Sequence, residues 1–194
     1  EEEAEKARRE TWRLANALQP GVTHDGYDRV YIPRTGHTTG KLDIHDIAVD
    51  TDGNPVFVNT SLSCIARLSR AMSFAPVWAP PFISAMAPED RCHLNGLALE
   101  DGAPAYVTAV AASDVADGWR DWRRDGGLVL DVRSGEVVAD NLSMPHSPRV
   151  HEGRLWLLEA GTGYLGYVEE ESFERVCFCP GYARGLCFAG PYAI

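Results

Sequence analysis

Four polar residues of unlike chemistry, His45, Asn95, His146 and Arg184, open successive copies of one short pattern. His45-Asp-Ile-Ala-Val-Asp-Thr-Asp-Gly53 leads into Val56–Asn59, and Asn95-Gly-Leu-Ala-Leu-Glu-Asp-Gly102 leads into Tyr106–Ala109. His146-Ser-Pro-Arg-Val-His-Glu-Gly153 leads into Leu155–Glu159, and a shorter copy, Arg184-Gly-Leu-Cys-Phe-Ala-Gly190, stands near the end. Two imidazoles and an amide oxygen could ligate a divalent ion, so His45, Asn95 and His146 form a candidate metal set of unknown metal identity. The same positions with Arg184, and with Arg149 at the end of MPHSPR, could instead hold a small polar or anionic ligand, the guanidinium supplying a two-pronged donor. A third reading has them hydrogen-bonded to neighbouring backbone as braces.

Two further residues are candidates for catalysis. His93 stands two before Asn95, and on a strand the two would share a face. It could join the polar ring or act as a base, unless Asp90 and Arg91 pair with each other and leave the loop structural. Glu159 is the one carboxylate among Asn59, Thr108 and Glu159, which close the second strand of each unit, and is the general-base candidate for a hydrolysis. Spacing does not decide whether these three lie at the same end as the polar ring or at the opposite end.

The elements that must position these groups are short strands. Runs such as DIHDIAV, PVFVNT, SCIARL, AYVTAV, GGLVLDV, GEVVAD, RLWLLEA, YLGYV and ERVCFC alternate with Gly, Pro, Asn and Asp clusters, and no long segment sustains a helical period. Turn glycines at 53, 102, 153 and 190 recur at about 40–50 residues, the period of a β-propeller blade. We therefore expect an all-β, propeller-like domain over residues 11–194, preceded by a charged tail or short helix over residues 1–10. Its blades should span residues 45–80, 95–142 and 146–180, the first followed by the crossover APPFISAMAPED. A fourth blade would be shared between the early candidates TWRLANAL and YDRVYIP and the final RGLCFAGPYAI. At 194 residues the chain has room for four blades at most. It must close through that shared blade or be a fragment of a larger propeller, in which case self-association would cover its bare faces.

Composition narrows the partners. Lys+Arg of 18 against Asp+Glu of 28 leaves −10, which argues against nucleic acid and anionic membrane. Trp119-Arg120-Asp121-Trp122-Arg123-Arg124 could stack on bases or sugars, but in so acidic a chain a packing loop with cation–π contacts is the simpler expectation. No apolar run reaches the length of a membrane helix, and EEEAEKARRE does not read as a secretion signal, so a cytoplasmic location is expected. The five cysteines are odd in number and irregular in spacing; Cys177 and Cys179 could face one metal, yet no second pair completes a site.

RCHLNGLA, MPHSPR, LDIHDIAV, VFVNTSLSC and PGYARGL resemble a bacterial family of conserved hypothetical proteins of unknown function, over roughly residues 11–194. That resemblance implies a propeller-like fold and no settled activity. Asn95-Gly96-Leu97 is also similar, more weakly, to the strand-opening segment with which regucalcin and gluconolactonase propellers present an Asn to a divalent metal. This implies a metal-dependent hydrolase of lactonase type as an alternative to simple ligand binding. The likeness reaches only Asn95, because the chain offers His45 and His146 where that class needs carboxylates. A scaffold that binds other proteins through its Trp/Arg insertion is the third alternative.

Overall fold

The computed structural model describes residues 36–194. The tail at 1–10 and the strand candidates TWRLANAL and YDRVYIP lie outside these residues. Three four-stranded antiparallel sheets follow one another along the chain, each an up-and-down meander. The first holds β1 (Ile44–Val49), β2 (Pro55–Asn59), β3 (Cys64–Arg67) and β4 (Ala75–Trp78). The second holds β5 (Leu94–Glu100), β6 (Ala103–Ala109), β7 (Gly127–Asp131) and β8 (Val137–Leu142). The third holds β9 (Pro145–His151), β10 (Arg154–Glu159), β11 (Tyr164–Glu169) and β12 (Ser172–Phe178). Their boundaries match the expected blades to within two residues. The fold is all-β and propeller-like; apart from one 3-10 turn at Gly118–Trp122, the described residues form strands and connections.

Local chemistry explains the meander. Asp101-Gly102 and Glu152-Gly153 are two-residue hairpin turns in which both residues take positive φ (51° and 76°, 49° and 73°). That backbone twist matches the right-handed twist of the strands it joins, and glycine adopts it without a Cβ clash. β4 was not among the apolar runs because it contains Pro76, which cannot donate to a ladder; it is the outermost strand of its sheet, where proline is tolerated.

Alternation along each strand then builds a core on both sides of the middle sheet. Val56, Val58 and Ile65 pack with Leu94, Leu97, Val107, Ala109, Leu128 and Leu130 between the first and second sheets. From the other face, Ala98, Val129, Ala139 and Leu142 meet Leu155 and Leu157 of the third. Because successive side chains on β7 point opposite ways, Leu128 and Leu130 serve one core and Val129 the other. The outward members fare differently: Ile47 and Val49 on β1, and Val176 and Phe178 on β12, are more than half exposed.

The final segment departs from the expected half-blade. RGLCFAGPYAI forms a two-stranded hairpin, β13 (Phe188–Ala189) with β14 (Tyr192–Ala193), and Arg184 precedes it outside any strand. The Trp/Arg insertion is a packing loop as expected: Trp119 is buried in the 3-10 turn with the Arg120 guanidinium 4.6 Å over its ring. Among the described residues no helix is long and apolar enough to cross a membrane.

Candidate functional site

The inner strands β1, β5 and β9 begin in the same way. Ile44 stands opposite Asn59, Leu94 opposite Ala109 and Pro145 opposite Glu159, so each inner strand starts beside the end of its own second strand. His45, Asn95 and His146 each follow that first residue, and one extra residue bulges the inner strand just beyond it. The question left by spacing is thereby answered: Asn59, Thr108 and Glu159 lie at the end where the inner strands start. Two residues before each of His45, Asn95 and His146 the chain takes positive φ, at Asp43 (54°), His93 (51°) and Met144 (49°).

That kink orients the imidazoles. The carbonyls of Asp43 and Met144 receive the Nδ1–H of His45 and His146, at 3.0 and 2.9 Å. A carbonyl can only accept, so the proton sits on Nδ1 of both rings. Thr60 Oγ1 donates to the Leu94 carbonyl at 2.6 Å and lies 2.9 Å from His45 Nδ1, tying the first blade's ring to the second blade's strand. The kink also corrects the strand-based reading of His93. It precedes β5 with left-handed backbone, so strand alternation does not apply to it, and its neighbours are set by packing.

Those neighbours are Asp90, Trp119 and His45. His93 Nδ1 donates to Asp90 Oδ2 at 2.9 Å, and the Trp119 indole N–H donates to the same oxygen at 2.9 Å. The Trp119 ring stacks on His93 with centroids 4.1 Å apart, while His45 meets it edge-on at 4.7 Å. Asp90 therefore does not pair with Arg91, whose guanidinium turns to Glu89 (2.8 Å) and Asp114 (2.7 Å). A carboxylate that fixes one ring nitrogen of a histidine is the arrangement used to orient a base. The Asp90-x-x-His93 spacing signalled it weakly; nothing in the sequence pointed to Trp119 as its wall.

Asn95 and His146 are the most enclosed members, 1% and 3% exposed. Thr108 Oγ1 donates to Asn95 Oδ1 at 2.7 Å, and Asn95 Nδ2 is left buried without a partner. His146 Nε2 is likewise buried without a partner. Burial pulls the His146 pKa down to about 4 against the support of the Met144 carbonyl, and the nearby charges of Arg184, His93 and His45 lower it further. The ring is therefore neutral at pH 7 and Nε2 carries a bare lone pair. Arg184 reaches this end on a tether, since Gly185 N–H donates to Ser147 Oγ at 2.9 Å, and its guanidinium lies over the Tyr182 ring (5.4 Å) beside His146.

Two candidates are engaged elsewhere. Arg149 uses every nitrogen inside the protein: Nε donates to Leu186 O, Nη1 to Asp46 Oδ2 and to the carbonyls of Leu97 and Pro148, and Nη2 to Asp46 Oδ1. Asp46, which the sequence did not single out, also accepts the Leu97 N–H at 3.0 Å. Glu159 is buried with both oxygens taken, Oε1 by Ser143 N–H and Oε2 by Thr162 Oγ1 and Arg175. It lines a cleft of about 320 Å³ with Asp140, Asn141, Ser172, Phe173 and Arg175, between β8 and β12.

As a metal centre the donor set fits poorly. Asn95 Oδ1 already takes a hydroxyl proton, the unpaired Asn95 atom is an N–H donor, and no group of three His, Cys, Asp or Glu side chains among the described residues is placed to hold an ion. Burial raises the thiols of Cys64 to about 11 and Cys92 to about 12, while Cys177 and Cys187 are exposed.

Solved structures similar to the chain include a selenomethionine-substituted virginiamycin B lyase from Staphylococcus aureus, with TM-score 0.47 and 16% identity over 89% of this chain and 53% of that one. A streptogramin B lyase structure follows with TM-score 0.45 and 13% identity over 72% and 43%. Kuenenia stuttgartiensis hydrazine synthase follows with TM-score 0.43 and 13% identity over 79% and 40%. The chain thus spans about half the length of these structures or less. At such scores the likeness carries no weight for function, and the propeller-like architecture rests on the three sheets themselves. No curated protein sequence matches the chain. The family model described as Domain of unknown function (DUF4915) matches residues 4–194, and the chain belongs to that family.

Proposed function

We propose that the chain binds a small polar or anionic molecule at the end of the sheets where β1, β5 and β9 begin. One observation carries this reading: Asn95 and His146, at the same register position in neighbouring blades, are each buried with one polar atom that nothing among the described residues satisfies. Buried polar atoms in folded proteins are almost always paired, and an unpaired one costs about 1–3 kcal/mol. Two at one repeated position are explained by a molecule that completes them. His45 and His93 flank the pair, and Arg184 stands at its rim.

A screen of small polar molecules and anions by saturation-transfer NMR tests the site. Ligands found should bind at least tenfold more weakly to folded Asn95→Ala and His146→Ala proteins. Ligands indifferent to both substitutions would remove the reading.

The hydrolytic alternative has one feature in its favour, the Asp90–His93 pair with its oriented ring. It is not the lactonase chemistry of the sequence resemblance, because among the described residues only Asn95 matches a metal ligand of that class and no group of three His, Cys, Asp or Glu side chains is placed to hold an ion.

A further inference from the structure

We infer that the group held between Asn95 and His146 is a hydroxyl, so that the ligand is polyhydroxylated, of the carbohydrate or polyol class. The inference rests on the binding reading above and specifies its chemistry. Its basis is the polarity of the unpaired atoms. Thr108 Oγ1 occupies the amide oxygen of Asn95, which leaves Nδ2, a donor. The Met144 carbonyl holds the proton of His146 on Nδ1, which leaves Nε2, an acceptor. An anion would be welcomed by the amide and repelled by the imidazole lone pair. A divalent cation would be taken by the imidazole and opposed by the amide N–H. A hydroxyl accepts from one and donates to the other.

The two atoms belong to strands in direct contact. A Cβ on Gly96 would stand 2.3 Å from Pro148 Cδ and 2.3 Å from Thr108 Oγ1, so the side chains of Pro148 on β9 and Thr108 on β6 close on Gly96 where only glycine fits. A third unpaired atom lies at the same end on the first blade. Asn59 is fully buried and closes β2 opposite Ile44; its Oδ1 accepts the Leu62 N–H at 3.2 Å, and its Nδ2 has no partner. Asn59, Asn95 and His146, one from each blade, thus each leave an atom unpaired at this end, as does Ser63 Oγ in the turn after β2, and several such atoms call for a ligand with several hydroxyls. Tyr182, 52% exposed, adds an aromatic ring beside His146, with centroids 6.1 Å apart. A ring with an apolar body and a polar tip suits the C–H face of a sugar.

The test uses the full chain and three probe classes: a polyol panel (glucose, galactose, mannose, myo-inositol, sorbitol), inorganic phosphate, and zinc chloride, measured by saturation transfer and calorimetry. At least one polyol should bind saturably and lose tenfold or more in Asn95→Asp and in His146→Phe, with fold checked by near-ultraviolet circular dichroism. If either variant fails to fold, the wild-type imidazole serves in its place: saturating polyol should move the nitrogen signal of His146 Nε2 and leave Nδ1 nearly still. Phosphate or zinc binding that depends on these residues, with no polyol binding, would overturn the hydroxyl assignment and leave the site standing. Absence of any probe that depends on either residue, or moves Nε2, would overturn both.

Discussion

Arg149 and His146 lie three residues apart on β9, and the regions they anchor are opposites. Around Arg149 every polar atom is answered: Asp46 from the first blade, Leu97 from the second and Leu186 from the final segment converge on one guanidinium. Around His146, as at Asn95 and Asn59, burial is deeper than at Arg149, and one polar atom on each side chain goes unanswered. Burial and polarity alone therefore do not distinguish a brace from a site. Pairing does, because a satisfied buried network rigidifies a fold while an unsatisfied one raises its energy until something binds.

The sharpest way to break this contrast is to cut the brace. Arg149→Ala leaves the Asp46 carboxylate, one-tenth exposed, without its partner, and should destabilise the chain by about 3–4 kcal/mol in urea unfolding. Binding by the protein that remains folded should persist. A variant as stable as the parent would show that Arg149 is no brace.

The next effect belongs to His146. The unfolded chain protonates His146 near pH 6.5, whereas the folded chain does so near 4. Between these values the unfolded state holds more protons, so stability falls as pH drops through that window and levels off below it. The loss amounts to about 3 kcal/mol. His146→Phe should therefore show a shallower acid limb in unfolding measured from pH 7 to 4; an unchanged limb would mean the ring is not held neutral by burial.

The smallest effect probes the seam joining the two regions. Gly96→Ala pushes a methyl group between Pro148 and Thr108, and should lower stability by about 2 kcal/mol through overpacking. Because Thr108 holds the Asn95 amide, the same change should weaken ligand binding, which Arg149→Ala should not. Equal binding losses in the two proteins would dissolve the distinction between brace and site.

Much of this was legible in the residues. The turn pairs Asp101-Gly102 and Glu152-Gly153 mark hairpins because their backbone requirement is local, and the interval between them sets the blade. The repeated position of His45, Asn95 and His146 was visible for the same reason, since register within a blade follows from its turn. Sequence reading went astray where the deciding contact is distant. Arg149 sits in a motif that looks functional, but its partner Asp46 lies on another blade. His93 was placed on a strand by its alternation with Asn95, whereas the Asp90–Trp119 network accompanies a left-handed turn there. Arg184 aligns with the blade openings, yet it arrives on an irregular segment tied to Ser147.

The sequence by itself determined the all-β class, the three blade boundaries and which residue types meet at one end. Those features depend on hydrophobic alternation and on turn chemistry, which act over a few residues. Only the tertiary structure decided which polar groups are satisfied. Hydrogen bonds between blades join residues 34 to 103 positions apart, as Thr60 joins Leu94 and Asp46 joins Leu97 and Arg149, and no local pattern encodes whether a buried donor finds its acceptor. That accounting makes Arg149 and Glu159 parts of the frame and leaves Asn59, Asn95 and His146 each with one buried polar atom that the described residues do not satisfy.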